Sequence, residues 1–296
     1  MLTIHELKCF GHQAGGGNTA LVVAGDTTDA ASRQQLARLK NLSACVFVDA
    51  APADATGVAY VLDYFYPHTR SPLCLHATLA AAHVLLAHVA APASLVVQTA
   101  MRGQRLTLSK GVDGLSITLT RQAVPALSGA QSADLALAAA LLASPIGLAS
   151  APAISSIGSP KLLLEVADSA TLHGLAPDLE RIAAWGRAHG VSGCYVYTRL
   201  ADGTYEGRNF NHLDPALEDS ATGVAAGALT LHLGHGLTLL QGAALGRPCI
   251  MRTQLSATGA VLLGGAVEAI ATWKEEYARR HQRGGRRAAP APGAQF

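Results

Sequence analysis

Charge is scarce in this chain, and neither sign dominates. Only 14% of its 296 residues are charged and the formal net charge is +2. That balance gives no reason to expect nucleic acid or an acidic membrane surface as a partner. The five cysteines (Cys9, Cys45, Cys74, Cys194, Cys249) are odd in number and form no C-x-x-C pair. They fit reduced thiols in a cytoplasmic protein better than a disulfide scaffold. The apolar stretches are Ala-rich, broken by His or Gly, and too short to span a bilayer. Met1 to Glu6 shows no basic stretch followed by an apolar run, so no signal peptide is expected. What the chain does have is apolar residue, half of the total, enough for two ordinary domains or one large one.

Periodicity and breakers predict a mixed chain. Strands are expected at His5 to Phe10, Thr19 to Val23, Ser43 to Val48 and Val58 to Tyr66, then near Leu95, Arg105 and Leu115. Helices are expected at Thr28 to Leu39, with Leu36 and Leu39 buried and Arg33 outside, and from Ala77 to about Val89. Ser132 to Ala143 reads as a helix of Ala and Leu. A second round follows: strands from Lys161 and Ser192, a helix from Leu179 to His189, a strand from Tyr205 to Phe210, and an Ala-rich segment from Glu218 to Leu233. Further strands are expected near Thr238, Cys249 and Val261, and a final helix from Thr272 to Gln282. The Arg, Ala and Pro composition beyond predicts a disordered basic tail. Gly15-Gly16-Gly17 lacks the strand-to-helix context of a phosphate loop and reads as a hairpin turn.

The two rounds match each other. Ser43-Ala44-Cys45-Val46-Phe47-Val48 parallels Ser192-Gly193-Cys194-Tyr195-Val196-Tyr197. Phe65 through Ala77-Thr78 parallels Phe210 through Ala221-Thr222. The long separation implies domain duplication rather than a repeat array. The expected architecture is α+β: two duplicated domains, residues 1–122 and 123–275, followed by a tail over residues 276–296. Each domain is a curved sheet or barrel around one helix, with a cleft between them, and the last strands could return to the first domain.

If the two helix starts face each other, their unpaired amides and positive dipole ends converge on one point, which suits a small carboxylate. Cys74 and His76 approach that point from one side, and Asp219, Ser220 and Gly223 from the other. An acid or base on each side of an anchored carboxylate can move a proton at the neighbouring carbon, with no cofactor and no metal required. Each residue also has a plainer role open to it. Asp219 or Ser220 could cap a helix, Cys74 could be core, and His83, His88, His232 and His235 lack a zinc-type ligand pattern.

Four segments carry a family resemblance. Leu73-Cys74-Leu75-His76-Ala77-Thr78-Leu79-Ala80-Ala81 resembles L-C-G-H-A-T-L-A-A, and Glu218-Asp219-Ser220-Ala221-Thr222-Gly223-Val224-Ala225 resembles E-D-P-A-T-G-S-A. Gly17-Asn18-Thr19-Ala20-Leu21-Val22-Val23 is similar to G-N-P-x-A-V-V, and Gly246-Arg247-Pro248 to G-R-P. Together they resemble the PhzF-like isomerases of phenazine biosynthesis, which share the diaminopimelate epimerase fold. The resemblance implies two similar α+β domains, a homodimer, and a cofactor-independent proton shift on a small carboxylate-bearing substrate. It implies that His76 and Asp219 line the site, that amides near Leu75 and Gly223 hold the carboxylate, and that Asn18 borders it. In the related epimerase branch a Cys at the position of Cys74 is the base.

The chain departs from that pattern at four places. Ala44 stands where the family has its catalytic Glu, and a methyl group shuttles no proton. Leu75 replaces Gly, Val224 replaces a Ser, and Ser220 replaces Pro. The resulting expectation is an isomerase or epimerase, possible in secondary metabolism, with a relocated base and a more apolar pocket. Asp219 is the leading base, His76 the proton donor or carrier, and Cys74 and Cys45 are the remaining thiol candidates. The alternative is a relative that binds small molecules or acts as a scaffold and has lost its base.

Overall fold

The computed structural model describes residues 2–53, 57–125, 147–210 and 218–274. Runs rich in Val, Leu and Ile, punctuated by glycine turns, form strands β1 (Thr3–Cys9), β2 (Asn18–Ala24), β3 (Ala44–Ala50), β4 (Tyr60–Phe65) and the short β5 (Arg70–Ser71). β6 (Ala93–Thr99), β7 (Arg105–Gly111) and β8 (Gly114–Leu119) complete the first half, with helices α1 (Ala30–Lys40) and α2 (Leu75–Leu85) between strands. The second half has β9 (Ala153–Ser155), β10 (Lys161–Glu165), α3 (Ser169–Gly174), α4 (Leu179–His189), β11 (Cys194–Arg199), β12 (Tyr205–Phe210) and β13 (Glu218–Asp219). It continues with α5 (Gly223–Leu233), β14 (Thr238–Gln241), β15 (Cys249–Leu255) and β16 (Val261–Gly264), and β17 (Val267–Lys274) ends it.

Strand pairing repeats between the halves. β2 runs parallel to β3, β3 antiparallel to β4, β4 parallel to β6, and β6, β7 and β8 follow antiparallel. β10, β11, β12, β14, β15 and β16 reproduce that series in the same directions. β8 pairs with β16 and joins the two series into one sheet. β17 then returns to pair along β1.

Register makes the duplication precise. Cys45 lies opposite Phe65 and Cys194 opposite Phe210, so these two pairs are counterparts. Leu75 and Gly223 each open an 11-residue helix. Ala77 is therefore the counterpart of Ala225, and matching it to Ala221 slips the alignment by one helical turn.

Period-two alternation divides each sheet face. Ala44, Val46 and Val48 face inward in the main core, whereas Cys45 and Phe47 face outward in a second cluster with Ile4, Leu21, Val23, Ala37 and Phe65. α2 is buried from Leu75 through Ala82 and α5 from Gly223 through Leu231. Both are apolar around their circumference, as a central helix must be, and their alanines let the strands approach closely. α1 and α4 pack on the outer faces, α4 through Ile182 against Leu162, Leu164, Val196 and Phe210.

Three expectations fail in the described residues. Arg33 is buried, because its guanidinium bonds Asp26 at 2.9 Å and Asp49 at 2.7 Å and lies 3.5 Å from Asp63; Leu39, expected inside, is 65% exposed. Thr272 to Lys274 belong to a strand, because the alternating β17 pairs with β1 instead of beginning a helix. α3 was not foreseen; Asp168 caps it by accepting from the Thr171 amide. The helix expected from Ser132 to Ala143, the remainder of the expected C-terminal helix and the tail lie outside the described residues. Among the described residues no helix is long and apolar enough to cross a membrane.

Candidate active site

Caps distinguish the central helices from the others. Asp29, Asp168 and Asp178 cap α1, α3 and α4, each carboxylate accepting a first-turn amide. The N-caps of α2 and α5 are Cys74 and Thr222, counterparts in the duplication, and neither side chain accepts from its own helix. These two uncapped starts abut. A Cβ added to Gly223 would sit 2.8 Å from Leu75 Cβ and 2.7 Å from Leu263 Cδ2. Gly223 is thus needed for the close approach, and Leu75, 2% exposed, occupies the space between the helix starts.

Asn18, at the start of β2, ties the halves together. Its Nδ2 donates to Asp219 Oδ1 at 2.9 Å and to the Ala221 carbonyl at 3.3 Å, and lies 3.4 Å from His76 Nδ1. Asp219 also accepts from Thr222 Oγ1 at 2.8 Å, and Gln241 Nε2 donates to the Asp219 backbone carbonyl at 2.6 Å. Gln241 in turn accepts from Tyr195 at 3.2 Å. Both carboxylate oxygens are thereby held by donors from different elements, and Asp219 remains half-buried.

On the other side, His76 Nδ1 lies 3.3 Å from Cys74 Sγ. Burial lowers the imidazole pKa, but the adjacent Cys74 sulfur, the Asp219 charge and the Thr19 backbone outweigh it and leave the value raised. That shift favours the charged ring relative to an ordinary histidine. Tyr66 lies beside Cys74, and burial first, then the neighbouring Cys74 sulfur and the Asp219 carboxylate, push its phenol upward.

The structure brings together Asn18, Cys74, Leu75, His76, Asp219 and Gly223. Ala44 and Val224 are buried in the same core; Ala44 pairs with Ala20 on β2 and presents only a methyl there. Ser220 is buried, and its hydroxyl bonds Cys249. Cys45 is not brought to the site: its side chain lies in the outer cluster, and burial pushes its thiol up to about 12. Thr222, Gln241 and Tyr66 are neighbours that sequence reasoning missed. Thr222 had a local signal, lying within the matched segment, but nothing adjacent to Gln241 in sequence indicates its contact with Asp219.

A cavity of about 1400 Å³ lies elsewhere, lined by His83, Lys110, Asp113, Asp202, Gly236 and Arg252 among others. It borders the C-terminal ends of α2 and α5, whereas the acid–base groups cluster at the N-terminal ends. Space alone is the weaker guide here, since the cavity brings no comparable set of mutually bonded titratable groups. Among the described residues no group of three or more His, Cys, Asp or Glu could hold a metal ion.

A family model described as phenazine biosynthesis-like protein matches residues 7–271. An uncharacterized isomerase of Deinococcus radiodurans is 30% identical over 293 residues, covering 90% of this chain and 93% of the relative. The uncharacterized isomerase YddE of Escherichia coli is 28% identical, covering 78% of this chain and 79% of its own. Among solved structures, a predicted epimerase from Pseudomonas aeruginosa superposes with a TM-score of 0.73 at 23% identity, covering 93% of this chain and 99% of that one. A probable proline racemase from Agrobacterium radiobacter, with bound carbonate, gives 0.57 at 12% identity, with 93% and 92% covered. These superpositions establish the α+β architecture shared with the epimerase-like folds.

Proposed function

The chain belongs to the phenazine biosynthesis-like (PhzC-PhzF) family, and from that premise we propose that it is a cofactor-independent isomerase moving a proton on a small carboxylate-bearing metabolite. The observation that carries this reading is the meeting of two uncapped, buried helix starts flanked by His76 and Asp219. The names of the curated relatives, isomerases, support the reaction class. The substrate carboxylate would lie against the amides of Leu75 and Gly223, where both helix dipoles favour an anion. Asp219 takes the proton from the carbon next to the carboxylate or from its vinylogous position. The dipoles stabilise the enolate that forms, and the His76 imidazolium delivers a proton to the other carbon. Cys74 favours the charged form of His76 and orients its ring, and is the alternative base. We place the protein in the cytoplasm, as a homodimer, in a biosynthetic role.

Leu75 favours one competing reading, a binder without catalysis, because its side chain fills the space where the carboxylate would sit. Incubation of small unsaturated carboxylic acids with the protein in heavy water tests both. Deuterium should enter the α or vinylogous carbon, and Asp219→Asn should slow its entry by about 100-fold or more. Exchange that persists in the combined Asp219→Asn and His76→Ala variant overturns the assignment. No exchange in the parent, with activity on a dienoic acid gained in Ala44→Glu, favours the binder.

A further inference from the structure

The duplication makes each half a control for the other, and their interiors differ at one corner. Inside the first half, the Tyr64 hydroxyl bonds Thr78 Oγ1 at 2.7 Å, and Thr78 donates to the Cys74 carbonyl at 2.8 Å, which closes the polar account. The counterpart of Tyr64 is Asn209, opposite Tyr195 as Tyr64 is opposite Val46. The counterpart of Thr78 is Ala226, three residues into its helix. A ring and a hydroxyl are therefore missing, and among the described residues both polar atoms of the fully buried Asn209 side chain have no hydrogen-bond partner. Tyr195 does not satisfy them. Its ring lies over Gly207, where a Cβ would come within 2.2 Å of the phenol oxygen, and its hydroxyl is given to Gln241.

Lys161 occupies the same interior face. Its counterpart is Ala20, the neighbour of Ala44 on the parallel strand. Lys161 is 2% exposed, and its ammonium donates to the Ser192 carbonyl. Among the described residues no carboxylate stands within ion-pair distance of it. Ser155, directly opposite on β9, has a buried hydroxyl with no hydrogen-bond partner among the described residues. The start of β10 borders the site: Gly158 packs on the Leu73 side chain, just before α2. Asn209 lies opposite Asp219 across β12 and β13. Burial lowers the Lys161 amine to about 8, against the opposing pull of the Asp219 charge and Cys194.

Buried polar groups are almost always bonded, and a buried cation is normally paired. We infer that Lys161, Asn209 and Ser155 form a second anchoring wall, which takes a distal carboxylate or equivalent acidic group of the substrate. This rests on the isomerase reading, and it narrows the substrate class from small carboxylates in general to diacids. A diacid would span the site, one carboxylate at the helix starts and the other against the Lys161 ammonium in a charge-assisted bond. The apolar shift at Leu75 and Val224 then concerns the middle of the substrate.

Isothermal titration with chain-matched pairs, butyrate against succinate and valerate against glutarate, tests the inference. The diacid should bind at least about tenfold more tightly in the parent protein, and Lys161→Met, which keeps volume and removes charge, should equalise the pair. In parent protein carrying ¹³C-labelled lysine, one buried Cε signal should move on adding the diacid and stay put with the monoacid. That observation decides the matter alone if Lys161→Met does not fold. Equal affinities within each pair overturn the second wall and leave the helix-start anchor standing. A diacid preference that survives Lys161→Met also overturns it. Binding of none of the four acids overturns the anchor, and the inference with it.

Discussion

Asn18 holds both sides of the site through one side chain, so its loss should be felt twice. Asn18→Ala leaves Asp219 Oδ1 without its donor from β2, and a cost of about 1–3 kcal/mol is expected, read as a lower urea midpoint at unchanged slope. His76 gives a second test. Its folded pKa is raised above the ordinary 6.5, so its contribution to stability is complete below 6.5 and lost as pH rises through the folded value. The stability gap between parent and His76→Gln should therefore be larger at about pH 5.5 than at about pH 9. At this scale the proximity of His76, Asp219 and Asn18 was legible, since each lies in a local motif and the structure brings the three together. The sequence was illegible at Arg33, whose three carboxylates come from separate segments, and at Gln241 and Lys161, whose neighbours are set by strand register.

The first residues of the two central helices meet at the candidate site. Leu75→Gly removes a buried side chain packed against Gly223. It should destabilise the protein by about 2–5 kcal/mol while opening space between the helix starts. Thermal denaturation and carboxylate binding should thus move in opposite directions, lower midpoint and tighter binding. The sequence identified both helices through their Ala-rich composition but misplaced their alignment by a turn. Alanine repeats carry little register information, and Cys74 and Thr222 are not recognisable caps, since neither bonds its own helix. The peripheral helices all begin at Asp caps, yet α1 and α4 were foreseen and the short α3 was not.

At the scale of the molecule, duplication was readable from paired segments and a return of the last strands to the first domain was expected, but the β8–β16 junction that makes one sheet was not. β8 meets β16, and β17 closes back on β1, through contacts between residues far apart in sequence. Ending the chain after residue 266 would strip β1 of its β17 partner and expose a strand edge. Such a protein should unfold at a lower denaturant midpoint and aggregate more readily than the parent. The halves also carry one ion pair each at matched positions with the signs exchanged, Arg70 with Asp63 and Glu218 with Arg208. The duplicated frame has thus kept its geometry while its chemistry diverged, which is what lets one half offer His76 and the other Asp219. The central claim is that both helix starts serve one carboxylate. Titrating acetate into ¹⁵N-labelled protein tests this directly: the amides of Leu75, His76, Gly223 and Val224 should shift together along one saturation curve. Shifts confined to one helix, or absent from both, would contradict it.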